Sequence, residues 1–312
     1  MNTVKTFLII LLMSQSYSAG AKNSADVTIE PDNQSILSQW FSIDSQFDIN
    51  MQKTLSANSV ADDNSEKYNL SFTSDDQNIV NGTFVISKND KGNPKLALLL
   101  HAMGTDENLW WSESMISGSK ISDKLIEKGY SVLTLDARRH GKRVIDELTA
   151  KDMIAKAHSD EPRLYTDMII GTVRDYRLAL EWAKKELEIK DGSILVAGYS
   201  MGAQMSLLLA SYETDINQVM VMVPPFVSEL QSPVAPRLHV SRINKASLMY
   251  LAAKQDPYSS AENTQVVFDK IATKNKSIQW FESGHLLPKE YVISALGFIE
   301  TLNPANQSAL VK

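Results

Sequence analysis

Cysteine is absent from the 312-residue sequence. Its absence excludes a disulfide framework, a thiolate metal site, a thiol nucleophile and a lipid anchor on a cysteine. Without disulfides the chain must be held together by its hydrophobic core, and a chain of this length can bury a large one.

Clusters of basic residues are also missing. The formal net charge is −6, and neither sign of charge forms a long run. Because phosphate recognition needs a clustered basic face, we do not expect nucleic acid as a partner. Metal-ligand spacings such as H-x-x-x-H are missing as well, so the sequence predicts no metal and no cofactor.

The first 21 residues have the composition of a secretory signal peptide. Lys5 supplies the positive charge, and residues 7–13 form a short apolar core. We expect cleavage after Ala21, with Ala19 as the alternative site, and export to the periplasm or the medium. The apolar core is too short to span a bilayer, so no membrane span is expected in the mature protein. The alternatives are an uncleaved anchor and an N-terminal helix that packs on the core.

Residues 22–66 form a polar extension rich in Ser, Asn and Asp. Within it, one stripe at helical spacing predicts a helix that packs on the main domain; the stripe comprises Ile36, Leu37, Trp40, Phe41, Asp44 and Phe47. A substrate cap is the alternative interpretation of this helix.

From residue 67 onward, strand patterns alternate with helical ones. A hairpin is followed by buried apolar runs at residues 95–100, 131–135, 193–197, 219–223, 247–252 and 277–281. This alternation predicts an α/β fold with a mostly parallel central sheet of about eight strands and helices on both faces. No linker divides residues 67–312, so we predict one domain there, with a short lid at residues 224–245.

The segment Gly198 to Gly202 has the pattern G-x-S-x-G, with Ser200 at its centre. It lies between an apolar run and a helix-forming run. A nucleophile elbow requires this context, because its strained turn lifts the serine to the carboxyl edge of a sheet and needs small neighbours. We therefore predict that Ser200 is the nucleophile of a hydrolase. A serine that merely caps the helix is the alternative.

A histidine and a carboxylate follow Ser200 in the chain order that such a nucleophile requires. His285 comes directly after the last predicted strand, and Asp256 follows the strand before it. Strand ends on one edge bring these side chains to the serine, so His285 is predicted as the general base and Asp256 as its orienting partner. The rivals are weaker, because His239 follows no strand and Asp215 precedes one.

An oxyanion hole needs two backbone N–H donors. Met201 directly follows the predicted nucleophile and should provide one. The loop after the first predicted parallel strand should provide the other, at Met103 or alternatively at Ala102. Trp110 and Trp111 follow the same loop and are predicted to line the substrate pocket, and at least one of them is expected to serve packing instead.

Several segments between residue 68 and the last helix together resemble the α/β-hydrolase superfamily: the loop 101–104, the elbow, Asp256 and His285. One further motif is similar to the D-x-x-x-H-G-x-R of dienelactone-hydrolase-like esterases and their prolyl-oligopeptidase-like relatives; it comprises Asp136, His140, Gly141 and Arg143. The resemblance implies a serine esterase that acts through an acyl-enzyme. It also implies that His101 and His140 are structural residues of their loops.

The chain departs from this resemblance in three ways. Ala102 follows His101 where a glycine is usual, and Ser200 stands where dienelactone hydrolases proper typically carry cysteine. No repeated strand array precedes the domain, so the propeller of prolyl oligopeptidases is absent. The substrate of dienelactone hydrolases is therefore not implied.

Together these patterns predict an exported serine carboxylesterase that acts on a small-molecule ester. A serine peptidase or amidase with the same three residues is the second interpretation. A catalytically silent binding protein on a hydrolase scaffold is the third.

Overall fold

The computed structural model describes residues 31–44, 47–56, 64–118, 120–145, 148–157, 159, 162–189, 193–228 and 233–301. The predicted signal peptide and its cleavage site lie outside the described residues. So does part of the polar extension.

The described chain contains nine strands: β1 (Gln52–Leu55), β2 (Ser65–Thr73), β3 (Ile79–Ser87), β4 (Lys95–Leu100), β5 (Tyr130–Leu135), β6 (Ser193–Tyr199), β7 (Gln218–Met222), β8 (Ser247–Ala253) and β9 (Lys276–Phe281). They form one sheet in the order β1-β2-β3-β5-β4-β6-β7-β8-β9. The six strands from β5 to β9 in this order pair in parallel, and β1, β2 and β3 add to them antiparallel. This confirms the predicted α/β fold with a mostly parallel sheet.

The ninth strand comes from the polar extension. Every residue of β1 is exposed, and the strand is held by its pairing with β2, from Gln52 opposite Ser71 to Leu55 opposite Tyr68. A short strand that buries no side chain has no alternating hydrophobic pattern, so the sequence did not indicate it.

Seven helices lie in the described ranges: α1 (Pro31–Trp40), α2 (Ile121–Glu127), α3 (Ala150–Ala157), α4 (Arg163–Glu186), α5 (Met201–Tyr212), α6 (Ala261–Lys270) and α7 (Tyr291–Thr301). The apolar residues of the long helix α4 recur at helical spacing and are buried along its length. None of the helices in these ranges combines the length and the apolar character that a membrane span requires.

The two faces of the sheet carry two separate hydrophobic cores. In β4, Leu96 and Leu98 belong to one core, and Ala97 and Leu99 belong to the other. Successive side chains of a strand point to opposite faces, which explains the unbroken apolar run of this strand. Helices α4, α5 and α6 contribute to the first core, and α2 and α7 contribute to the second. The predicted helices on both faces are therefore present.

Helix α1 packs on the domain through a narrow stripe. Leu37 is buried, and Phe41, which follows the helix, is fully buried and stacks on Tyr212 with ring centroids 4.9 Å apart. Ile36 and Trp40, from the same predicted stripe, stay about half exposed. The extension thus contacts the domain at the end of α5.

The described part of the predicted lid runs along α5. Gln204, near the start of the helix, donates a hydrogen bond from Nε2 to the carbonyl of Val234 at 2.9 Å. Tyr212, at its end, shares a 2.6 Å hydrogen bond with Nδ1 of His239. Val240 is buried between these elements. Residues 233–243 are thereby bound to the helix that follows Ser200.

Candidate active site

The chain reverses sharply at Ser200, between β6 and α5. The φ of Ser200 is 54°, which is a strained value for a residue other than glycine. A Cβ on Gly198 would lie 2.3 Å from the carbonyl carbon of Gly202, and one on Gly202 would lie 2.1 Å from the carbonyl oxygen of Leu100. Both positions therefore require glycine. The Ser200 N–H donates to the carbonyl of Met222 at 2.9 Å, which ties the turn to the neighbouring strand.

A chain of hydrogen bonds joins Ser200 to a histidine and a carboxylate. His285 Nε2 lies 2.8 Å from Ser200 Oγ. Its Nδ1 lies 3.0 Å from Oδ1 and 2.9 Å from Oδ2 of Asp256. Because a carboxylate only accepts hydrogen bonds, Nδ1 carries the proton and Nε2 is left to accept the serine proton. The three side chains that the sequence singled out are thus brought together at one edge of the sheet.

Asp256 is almost fully buried and is held from two sides. Its carboxylate accepts from the backbone N–H of Tyr258 at 2.9 Å as well as from His285. The ring of Tyr258 meets the imidazole edge to face, with centroids 4.6 Å apart. A buried carboxylate is costly unless its oxygens are bonded, and these bonds fix its orientation toward the histidine. Tyr258 was not predicted from the sequence; its position two residues after a strand-end aspartate was the available signal.

Two backbone amides are candidates for an oxyanion hole. Met201 is the first residue of α5, so its N–H belongs to the unpaired amides at a helix N-terminus. Met103 lies in the loop after β4 and is partly exposed. Within the described ranges, neither amide donates a hydrogen bond to another protein group. Both therefore remain candidates for the oxyanion hole.

The loop after β4 is held in place by His101. Its Nε2 accepts from the Ala137 N–H at 2.9 Å, so its Nδ1 carries the proton and donates to the carbonyl of Ala102, also at 2.9 Å. Burial lowers the pKa of His101 to about 3. The imidazole is therefore neutral, and its two hydrogen bonds link this loop to the loop after β5.

The D-x-x-x-H-G-x-R motif forms a second link between the same two loops. Asp136 accepts from the N–H of Glu107 at 3.1 Å and from that of Lys142 at 2.9 Å. Gly141 has a φ of 55°, and a Cβ there would lie 2.2 Å from the Asp136 carboxylate. Arg143 donates to the carbonyl of Asp136 at 3.0 Å. The motif shapes the loops that flank the site.

Asp175 anchors this motif from helix α4. Its fully buried carboxylate pairs with Arg143 at 2.8 Å and with Arg138 at 3.0 Å. Asp175 was not predicted from the sequence. An aspartate among apolar residues on the buried stripe of a helix is nevertheless a usable signal, because such a carboxylate needs a partner.

The two tryptophans predicted for the pocket are placed differently. Trp110 is fully buried in the core that contains α2 and α7, so it presents no surface to a substrate. Trp111 donates from Nε1 to Glu107 at 3.2 Å and to Thr134 at 3.1 Å, and the ammonium of Lys67 lies 4.6 Å from its ring centroid. Trp110 corresponds to the packing alternative, since a large aromatic side chain is most stable when it fills a core.

No three His, Asp or Glu side chains within the described ranges are grouped so that they could hold a metal ion. The polar groups gathered around Ser200 are instead a hydroxyl, an imidazole, a carboxylate and backbone amides. This set suits acyl transfer, in which a nucleophile, a base and hydrogen-bond donors act on one carbonyl group.

The sheet order, the elbow and the helices on both faces define an α/β-hydrolase fold. Residues 110–286, more than half of the chain, match the dienelactone hydrolase family. The chain therefore belongs to the dienelactone hydrolase family, and the matched segment includes Ser200, Asp256 and His285. No curated protein matches the sequence significantly.

Solved structures of esterases share this fold. An acetyl xylan esterase from a Thermoanaerobacterium species superposes with a TM-score of 0.70 at 15% identity, covering 94% of this chain and 98% of that one. An acetyl xylan esterase from a Paenibacillus species superposes with a TM-score of 0.66 at 16% identity, covering 93% of this chain and 99% of that one. A cold-adapted esterase from an Arctic intertidal metagenomic library gives 0.60 at 17% identity, with 80% and 97% covered.

Proposed function

We propose that this protein is a serine carboxylesterase with Ser200 as nucleophile, His285 as general base and Asp256 as the residue that orients the base. One observation carries the proposal: the unbroken hydrogen-bond chain from Ser200 Oγ through His285 to both oxygens of Asp256. The strained elbow supports it, because strain at a single residue is most often retained where the residue has a function.

Acylation begins when Ser200 Oγ attacks the carbonyl carbon of the ester. His285 Nε2 accepts the hydroxyl proton, and Asp256 stabilises the imidazolium that forms. The carbonyl oxygen gains a negative charge in the tetrahedral intermediate. We assign its stabilisation to the N–H groups of Met201 and Met103. His285 then returns the proton to the alkoxide as the ester C–O bond breaks, which releases the alcohol and leaves an acyl-enzyme.

Deacylation repeats these steps with water. His285 removes a proton from the water, which attacks the acyl carbonyl carbon, and the same N–H groups stabilise the second intermediate. Collapse of this intermediate breaks the bond to Ser200, whose oxygen recovers a proton from His285, and the carboxylic acid leaves. In this scheme the catalytic cycle uses only protein groups and water.

The proposed substrate class is small-molecule esters. Family membership and the shared fold with three esterases support hydrolysis of an ester. Two of those structures are named as acetyl xylan esterases, which makes acetyl esters the first substrates to test.

The test compares wild-type protein with Ser200→Ala on a short-chain aryl ester such as 4-nitrophenyl acetate. We expect kcat to fall at least about 10³-fold in the variant. A fluorophosphonate probe should form one covalent adduct on wild-type Ser200 and none on Ser200→Ala. Activity retained in Ser200→Ala would refute the proposal, and a wild type that neither reacts with the probe nor cleaves the ester would indicate a silent scaffold. A matched aryl amide distinguishes an esterase from an amidase.

We also infer that the protein is exported, on the basis of the charged, apolar and small-residue segments of residues 1–21. Expression of the full chain in a bacterium, followed by fractionation and N-terminal sequencing, tests this. The periplasm or medium should contain protein that starts at residue 22, or at residue 20 if the alternative site is used. Protein that keeps its N-terminus in the cytoplasm would contradict the inference.

A further inference from the structure

The residue before the nucleophile makes contacts that the catalytic cycle above does not use. Tyr199 is the last residue of β6, and its side chain is almost fully buried. Its ring lies in the core that contains α7 and meets the ring of Tyr291 edge to face, with centroids 6.3 Å apart. The side chain of Tyr199 therefore extends from the end of β6 towards the loop that follows β9.

The hydroxyl of Tyr199 bridges two backbone groups of that loop. It donates a hydrogen bond to the carbonyl of His285 at 2.8 Å and accepts one from the N–H of Leu287 at 2.9 Å. Leu287 is fully buried, so a water molecule could take the place of the Tyr199 hydroxyl only by entering the core. Burial raises the pKa of the Tyr199 hydroxyl, which keeps the proton that this bridge donates.

The other end of the same loop is tied to the loop that carries Asp256. The N–H of Lys254 donates to the carbonyl of Phe281 at 2.9 Å, and that of Gln255 donates to the carbonyl of Ser283 at 3.0 Å. The loop is thus held by two separate sets of hydrogen bonds. One set joins it to the loop that carries Asp256. The other set joins it, through the Tyr199 hydroxyl, to the strand that precedes Ser200.

We propose that Tyr199 is a positioning residue that holds the His285 loop at the distance from Ser200 needed for proton transfer. This inference rests on the proposed function. The Ser200 Oγ to His285 Nε2 distance of 2.8 Å depends on how the backbone of the loop is placed relative to β6. Tyr199 is adjacent to Ser200 in the chain and joins the two through a rigid ring. Without the hydroxyl, the carbonyl of His285 and the N–H of Leu287 lose their partner and the loop can shift.

The test is Tyr199→Phe, which keeps the ring and removes one oxygen atom. A displacement of about 1 Å between reacting groups can lower a rate by roughly 10²-fold. We expect kcat on 4-nitrophenyl acetate, and the saturating rate constant of fluorophosphonate labelling, to fall about 10- to 100-fold. The KM and the half-saturating probe concentration should change less than about twofold, because the tyrosine does not contact the substrate in this scheme.

Tyr130→Phe is the matched control. Tyr130 is also buried, and its hydroxyl donates one hydrogen bond to Gln218 at 2.7 Å. It starts β5, at the sheet edge opposite to Ser200. Both variants lose a buried hydroxyl, so both should show a lower thermal midpoint, and kcat is normalised to the folded fraction. Only Tyr199→Phe should lose kcat.

Unchanged kcat and labelling in Tyr199→Phe would overturn the inference, as would equal losses of normalised kcat in the two variants. A rise in KM with constant kcat would also overturn it, since that result would assign Tyr199 to substrate binding. These outcomes are separate from failure of the proposed function, in which the wild type itself would not be labelled at Ser200.

Discussion

His101 and His285 both use two ring nitrogens in hydrogen bonds, yet the groups around them differ. His101 lies between a backbone N–H and a backbone carbonyl and is fully buried. His285 lies between a serine hydroxyl and a carboxylate, and its side chain is 10% exposed. Burial holds His101 neutral by lowering its pKa to about 3. A carboxylate partner makes a transient positive charge on His285 tolerable.

This difference separates a histidine that braces a loop from one that can move a proton. Position after a parallel strand gives no such distinction, since both residues share it; in the sequence, only the chain order after Ser200 set His285 apart. The criterion is the identity of the group that faces the protonated nitrogen: a carbonyl in the first case and a carboxylate in the second.

The largest expected effect is on His285. His285→Ala should lower kcat by at least about 10⁴-fold, because the serine loses its base. Its free energy of unfolding should fall by about 1 to 2 kcal/mol, because the buried Asp256 loses one hydrogen-bond partner but keeps the N–H of Tyr258. Steady-state kinetics on an aryl ester and urea unfolding measure the two quantities. More than about 1% of wild-type kcat in His285→Ala would contradict the assignment.

Asp256→Asn should lower kcat by about 10³- to 10⁴-fold, because the amide favours the wrong tautomer of His285.

The opposite pattern is expected for His101. His101→Leu leaves the Ala137 N–H without its acceptor and the Ala102 carbonyl without one donor, so the free energy of unfolding should fall by about 2 to 4 kcal/mol. The ring does not touch the reacting atoms but holds the loop of Met103, so kcat per folded molecule should fall about 10- to 100-fold, far less than in His285→Ala. The same urea and kinetic measurements apply. A stable His101→Leu protein with a 10⁴-fold lower kcat would reverse the comparison.

The last expected effect is a pH dependence of stability. The pKa of His101 in the folded protein is about 3, against 6.5 for a free histidine. Between these values the unfolded chain binds a proton that the native state does not, so stability falls as the pH falls from about 6.5 towards 3. One group contributes at most about 1.4 kcal/mol per pH unit.

His101→Leu removes this contribution. Burial raises the pKa of Asp136 and of Glu107, which opposes the effect, but both carboxyls are present in both proteins. Urea unfolding at pH 4 to 7 should therefore show a shallower decline for the variant than for the wild type. Parallel curves would show that His101 is not held neutral.

Residues at strand ends were predictable because the topology dictates where they lie. Ser200, Asp256 and His285 each follow a parallel strand, and all such strands end on one edge of the sheet. The sequence pattern was enough to place them together before any coordinates were known.

Residues whose environment comes from distant segments were not predictable in this way. Trp110 follows the β4 loop in the chain, but its side chain packs into the core, and only the structure reveals that direction. Asp175 is 32 residues beyond Arg143 in the numbering, and their pairing depends on how α4 lies across the sheet. Strand β1 buries no side chain, so hydrophobic periodicity carries no trace of it.

The position of β9 has a consequence for the order in which the protein matures. Within the described ranges it is the last strand along the chain, and it is one of the two outer strands of the sheet; His285 follows it. Ribosomal synthesis delivers Ser200 and its elbow many residues before the histidine exists. Under the proposed mechanism, a nascent chain that already contains Ser200 lacks its base, so hydrolysis would begin only after His285 is made and β9 docks. In refolding, the return of activity should accordingly report the docking of this strand.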